Sequence, residues 1–164
     1  MMEWNNPAMI SILDQAAISI TAEESLMNPD TEYQEYEAFA QRMEAAYPKM
    51  FSEPYGGFAV SQGWWPIIAS LCACIQHHID WKNRQSEVVP QVTVAQVKEK
   101  LGGLRFYYSG GDEKIDGMVT MAEAWASNAC EECGAPGTSR GGGWIKTLCD
   151  THHNLRESRK QLGV

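Results

Sequence analysis

Two short motifs towards the carboxy-terminal end constrain this chain more than anything else in it. Cys130 and Cys133 form a C-x-x-C pair followed by Gly134, and Cys149 and His152 form a C-x-x-H pair after a Gly-rich connection. Three thiols and an imidazole at this spacing are the donor set of a closed, structural zinc site: two ligands from a tight knuckle, two from the first turn of a helix. Gly134 follows the knuckle where the chain must turn. Arg140-Gly141-Gly142-Gly143 suits a hairpin turn, with Trp144–Leu148 as its second strand. Asp150 opens a helix through Asn154, Arg156, Arg159 and Lys160, and the three-residue step puts Cys149 and His152 on one face of it. Knuckle, hairpin and helix in this order predict a treble clef over residues 129–164. His153 is a rival fourth ligand, and spacing leaves that choice open. A redox dithiol is the other common use of C-x-x-C. It goes with a βαβ context that is missing here, and Glu131 and Glu132 would oppose a thiolate by like charge.

The remaining chain, residues 1–128, reads as a helical domain with one β-hairpin, which makes the fold class α+β. At 164 residues, the length suits one domain with at most a small appendage. Residues 7–20 suit a short helix with Pro7 in its first turn and Met9, Ile12, Leu13 and Ala16 on one face. Thr21 and Glu24 suit a capping box for a second short turn that Asn28-Pro29 closes. A clearer helix runs from Asp30-Thr31 to about Tyr47, with Tyr36, Phe39, Ala40, Met43 and Tyr47 three and four apart. Residues 47–63 read as an ordered loop packed down by Phe51, Tyr55 and Phe58. Trp64-Trp65-Pro66 opens the most apolar helix, to about Trp81, with Ile68, Leu71, Cys72, Ile75 and Ile79 as its buried stripe. Cys74 and His78 lie four apart on it and could share a metal, but a core helix carrying a thiol and an imidazole explains them more simply. Strands at 91–100 and 104–109 flank Leu101-Gly102-Gly103: Val92 and Val94 alternate with polar or small residues, as do Leu104, Phe106 and Tyr108. After Gly110-Gly111, Asp112 is a candidate N-cap for a helix to about Ser127, with Ile115, Met118, Val119, Ala122 and Trp125 on its apolar face.

The formal net charge of −8 resides wholly in the first third. Residues 1–60 hold ten acids against Arg42 and Lys49, while residues 61–164 hold eleven acids and eleven bases. Such a field disfavours nucleic-acid phosphates unless a local patch overrides it. Such a patch would come from Lys98, Lys100 and Arg105 beside Tyr107 on the hairpin, together with Arg140, Lys146, Arg156, Arg159 and Lys160. No run is long enough for a membrane span, the amino terminus lacks the pattern of a signal peptide, and five cysteines, three at ligand spacing, argue against a disulfide framework. A cytoplasmic protein with no membrane contact is expected.

Three resemblances refine this. The knuckle Cys130–Pro136 is similar to the zinc fingers of the DksA/TraR group, which act on RNA polymerase; that group's long coiled-coil hairpin has no counterpart here. The stretch Leu148-Cys149-Asp150-Thr151-His152-His153-Asn154 resembles the end of HNH nucleases, whose hydrolytic metal depends on an Asp-His pair in the strand before it. Here that strand, Gly143–Leu148, carries neither histidine nor carboxylate, so the base that would activate water is missing. More widely, Tyr47–Phe51, Gly63–Ile68, Gln96–Tyr107 and the cysteine segment resemble a family of small phage and prophage proteins, which implies a mobile-element origin and no catalytic residues to carry over.

The expected function is therefore that of a zinc-binding, non-catalytic, phage-like interaction protein. It would bind and modulate a host protein, such as a defence or nucleic-acid-processing factor, in the host cytoplasm. Direct DNA or RNA binding through the basic residues named above is one alternative. The other is a divergent HNH-like nuclease using His153 with His77 or His78, although no carboxylate-rich cluster accompanies those histidines.

Overall fold

The computed structural model describes residues 29–162 except 53, 86 and 142. The short helices expected before residue 29 lie outside the described residues. The elements are α1 (Pro29–Ala46), β1 (Phe58–Ala59), a single 3-10 turn (Gln62–Trp64), α2 (Trp65–Arg84), β2 (Thr93–Lys100), β3 (Gly103–Ser109), α3 (Glu113–Ala126), β4 (Thr138–Arg140), β5 (Lys146–Leu148) and α4 (Asp150–Leu162). The described residues are thus α+β, four helices with two small sheets. None of these helices is long and apolar enough to cross a membrane.

The periodicity of α2 works as expected. Ile68, Leu71, Cys72, Ile75 and Ile79 are all buried, and the helix runs three residues beyond Trp81, where Lys82 and Arg84 complement the carbonyl end of its dipole. In α1, Phe39 and Met43 are buried and Tyr36 and Ala40 pack partly against the same core. Phe39 stacks on Trp65 at 4.8 Å, which ties α1 to the start of α2.

The hairpin forms where the alternation placed it, with two refinements. Its turn is the two-residue Leu101-Gly102, both at positive φ (54° and 76°), the handedness that matches strand twist. A bulge between Val94 and Gln96 shifts the alternation, so that Val97 and not Gln96 joins Val94 in the core. The bulge also frees the carbonyl of Ala95 to accept from the Gly56 N–H at 2.7 Å. That contact turns part of the expected loop into β1, which pairs in parallel with β2 (Phe58 opposite Val97) and makes a three-stranded sheet in the order β1-β2-β3. Phe51, Tyr55 and Phe58 cluster beneath it with centroids 5.3–5.6 Å apart.

Asp112 caps α3 as expected: its Oδ1 accepts from the Ile115 N–H at 3.1 Å and its Oδ2 contacts His78 Nε2 at 2.7 Å, joining α2 to α3. Ile115, Val119, Ala122 and Ala126 form the buried face of α3. Trp125 does not belong to it; it is 63% exposed, because Ala126 takes the core position one residue on. Glu123 on the same helix guards the outer edge of β3. Its carboxylate accepts from the Phe106 N–H at 3.0 Å and pairs with Arg105 at 3.7 Å.

Candidate metal centre

The carboxy-terminal segment is held to this core at two points. At the first, Gly63 packs directly on the backbone of the cysteine knuckle. Its N–H donates to the Glu131 carbonyl at 2.8 Å, and a Cβ there would lie 2.2 Å from the Cys130 carbonyl oxygen and 2.6–2.7 Å from the amide nitrogens of Gly134 and Cys133. Beside it the fully buried Trp64 donates its indole N–H to the Ala129 carbonyl at 2.9 Å. At the second, Thr147 of β5 donates its hydroxyl to the Gly102 carbonyl in the hairpin turn at 2.6 Å.

Within the segment, the Cys130 N–H donates to the Ala135 carbonyl at 2.7 Å and the Gly134 N–H returns to the Cys130 carbonyl at 2.8 Å, closing a tight turn that aims Cys130 and Cys133 the same way. β4 and β5 then pair antiparallel, Thr138 opposite Leu148. They bring Cys149 to the start of α4, where its carbonyl accepts from the His153 N–H at 2.9 Å. Trp144 was expected in the second strand, but β5 begins at Lys146. Trp144 stays in the turn, 68% exposed, with its carbonyl held by Arg156 at 2.7 Å.

The result is a cluster of four donors. The ligand atoms of Cys130, Cys133, Cys149 and His152 all lie within 4.8 Å of one another. Cys133 Sγ is 3.9 Å from Cys149 Sγ, and His152 Nδ1 is 3.2 Å from Cys149 Sγ and 3.6 Å from Cys130 Sγ. The imidazole therefore joins through Nδ1. His152, not His153, is the histidine that joins the sulfurs; the Nδ1 of His153 is buried with no hydrogen-bond partner among the described residues.

The thiols do not share the same electrostatic environment. Burial pushes the Cys133 thiol up to about 12, with the neighbouring sulfurs adding to it. At Cys149 burial acts in the same direction but is outweighed by hydrogen bonds from the His152 N–H and ring and from Cys130 and Cys133, and the thiol is held down to about 7. Cys149 also sits at a helix N-terminus, where the dipole favours a thiolate. A cation among the three sulfurs would draw the other protons off as well.

Lys146 of β5 anchors the two acids of the knuckle. It pairs with Glu131, which is only 2% exposed, and with Glu132 at 2.9 Å. Burial pushes the Glu131 carboxyl above its ordinary range against the pull of Lys146, and its second oxygen has no donor among the described residues. Its main chain is held on both sides: the Glu131 N–H donates to the Thr147 carbonyl at 2.9 Å and its carbonyl accepts from the Gly63 N–H at 2.8 Å.

Half of the eight basic residues expected to form a nucleic-acid face are committed to acids of this chain. Lys146 holds Glu131 and Glu132, Arg140 holds Asp150, Arg105 holds Glu123 and Lys160 holds Glu157. Lys98 lies over the Tyr107 ring, 5.1 Å from its centroid. Lys100 and Arg159 carry no ion pair among the described residues. His77, His78 and His153 form no metal cluster there; the single group of three or more possible ligands is the Cys3His set. No family model, no curated protein and no solved structure matches the chain.

Proposed function

We propose that this chain is a zinc-stabilised interaction protein whose metal closes a treble clef and whose acidic face meets a basic surface on a protein partner. The observation that carries the reading is the fit of the donor set. Tetrahedral zinc with bonds of about 2.3 Å to sulfur and 2.0 Å to nitrogen sets S···S edges of roughly 3.8 Å and S···N edges of roughly 3.5 Å. The 3.9 Å between Cys133 and Cys149 and the 3.6 Å and 3.2 Å to His152 Nδ1 lie close to those edges. Four protein ligands fill the coordination sphere, so the ion supplies shape, tying the knuckle to the first turn of α4. It leaves no position for a substrate. With Arg105, Arg140, Lys146 and Lys160 held by internal carboxylates, the free charge of the molecule is acidic, which supports a protein partner over nucleic acid.

The purified chain should carry one zinc per molecule by elemental analysis, and Cys130→Ser with Cys149→Ser should lose it. The resemblance of the chain to small phage and prophage proteins makes a bacterial lysate the source in which to seek the partner. Affinity capture should recover a basic protein with the zinc-loaded chain and not with the double variant. A preparation without zinc, or repeated capture with no specific partner, would overturn the reading.

A further inference from the structure

A cleft of about 300 Å³ opens between α1, the turn that leads into α2, and the zinc knuckle; Glu32, Tyr33, Tyr36, Trp65 and Glu132 line it. Aromatic rings and carboxylates make up most of its walls, with Val60, Ser61 and Gln62 between them. Glu132 shares one lysine with Glu131, so that group of three side chains remains net negative. Glu32 is exposed and carries no ion pair among the described residues. Trp65 is fixed by its stack on Phe39, 4.8 Å between centroids and 5° between planes, and its indole N–H is buried with no acceptor among the described residues. Carboxylates beside aromatic rings favour a planar cation.

We infer that this cleft receives an arginine residue of a basic protein segment, the guanidinium between the carboxylates and the rings. The inference rests on the interaction-protein reading and names where that interaction is made. Charge complementarity argues for a foreign occupant. The chain's own first 28 residues contain Glu3, Asp14, Glu23 and Glu24 and no lysine or arginine, so they offer no side-chain cation for the cleft. The helix that forms one wall carries Glu32, Glu35, Glu37 and Glu44 against Arg42, so the approach to the cleft is acidic as well.

The test is a titration of the full-length, zinc-loaded, ¹⁵N-labelled chain with an eight-residue peptide alternating arginine and glycine, alongside its lysine counterpart. The Trp65 indole signal and the amides of residues 32–36 should shift saturably, with the arginine peptide binding several-fold tighter than the lysine one. Glu32→Gln should weaken binding about fivefold, the upper range for an exposed ion pair, and Glu44→Gln, on the same helix but outside the cleft, should leave it unchanged. Shifts spread evenly over the acidic surface, or equal effects of the two substitutions, would overturn the assignment. So would contacts from residues 1–28 to Trp65 in the free protein, or concentration-dependent shifts of the same signals without peptide, which would mark a second copy as the occupant. Capture of a basic partner by the zinc-loaded chain that Glu32→Gln does not weaken would remove the cleft and leave the interaction reading standing.

Discussion

Gly63→Ala is the sharpest probe of how the metal segment is mounted. Gly63 does not have a positive φ, so alanine brings no backbone strain, and the whole effect comes from contact. The new methyl carbon would sit 2.2 Å from the Cys130 carbonyl oxygen and 2.6–2.7 Å from two amide nitrogens. These are all backbone atoms, unable to rotate away, so the knuckle itself must move. Overpacking of this kind sits at the upper end of its range, about 3 kcal/mol, and loss of the Gly63–Glu131 hydrogen bond adds up to about 1 kcal/mol. For a chain of this size the sum of about 3–4 kcal/mol lowers the Tm by roughly 6–16 °C. Because the displaced atoms belong to two of the ligands and the residue after them, zinc affinity should fall as well, by about 10–100-fold, the scale of losing the groups that orient metal ligands. Thermal melts of the zinc-loaded protein and competition against a chromogenic chelator measure both quantities. Gly117→Ala is the control: its Cβ would meet nothing within 4 Å in the middle of α3, and the better helix former should stabilise by up to about 1 kcal/mol. A Gly63→Ala protein that melts within a degree of the parent and holds zinc equally well would refute the direct docking of the knuckle on the start of α2.

Three further outcomes are expected. Lys146→Met leaves the Glu131 carboxyl buried without its counter-charge and should cost up to about 3–5 kcal/mol by urea unfolding, less as the carboxyl takes up a proton at acid pH; a loss under about 1 kcal/mol at neutral pH would mean that the pair is solvated. Leu101→Asn should raise stability by about 1 kcal/mol in the same assay, since leucine is strained at φ 54° where asparagine is tolerated, and no gain would refute the turn geometry. Asp112 titrates below the ordinary carboxylate range: burial pushes it up, but hydrogen bonds from His78 and the Ile115 N–H outweigh that. A depressed folded pKa means that the contribution is present above the ordinary carboxylate range and lost as pH falls through the folded value. Asp112→Asn should therefore flatten the acid limb of stability below about pH 4, and melts with the same slope as the parent would count against the pairing.

The local rules were enough for much of this protein. The apolar stripe of α2, the cap at Asp112, the alternation of β3 and the four-ligand spacing each depend on residues a few positions apart, where helix and strand periods and metal geometry act directly. What the linear order could not reveal lies between distant segments. The choice of His152 over His153 depends on which imidazole nitrogen the first turn of α4 presents to sulfurs about twenty residues back. The third strand exists because a bulge at Ala95 frees a carbonyl for Gly56. Glu131 is buried at the seam where the knuckle and β5 meet Gly63 and Gly102, and four of the eight candidate basic residues, Arg105, Arg140, Lys146 and Lys160, are paired with carboxylates of the chain. A charge pattern counts ions along the chain, whereas ion pairs form across space, and only the packed arrangement decides which charges remain for a partner.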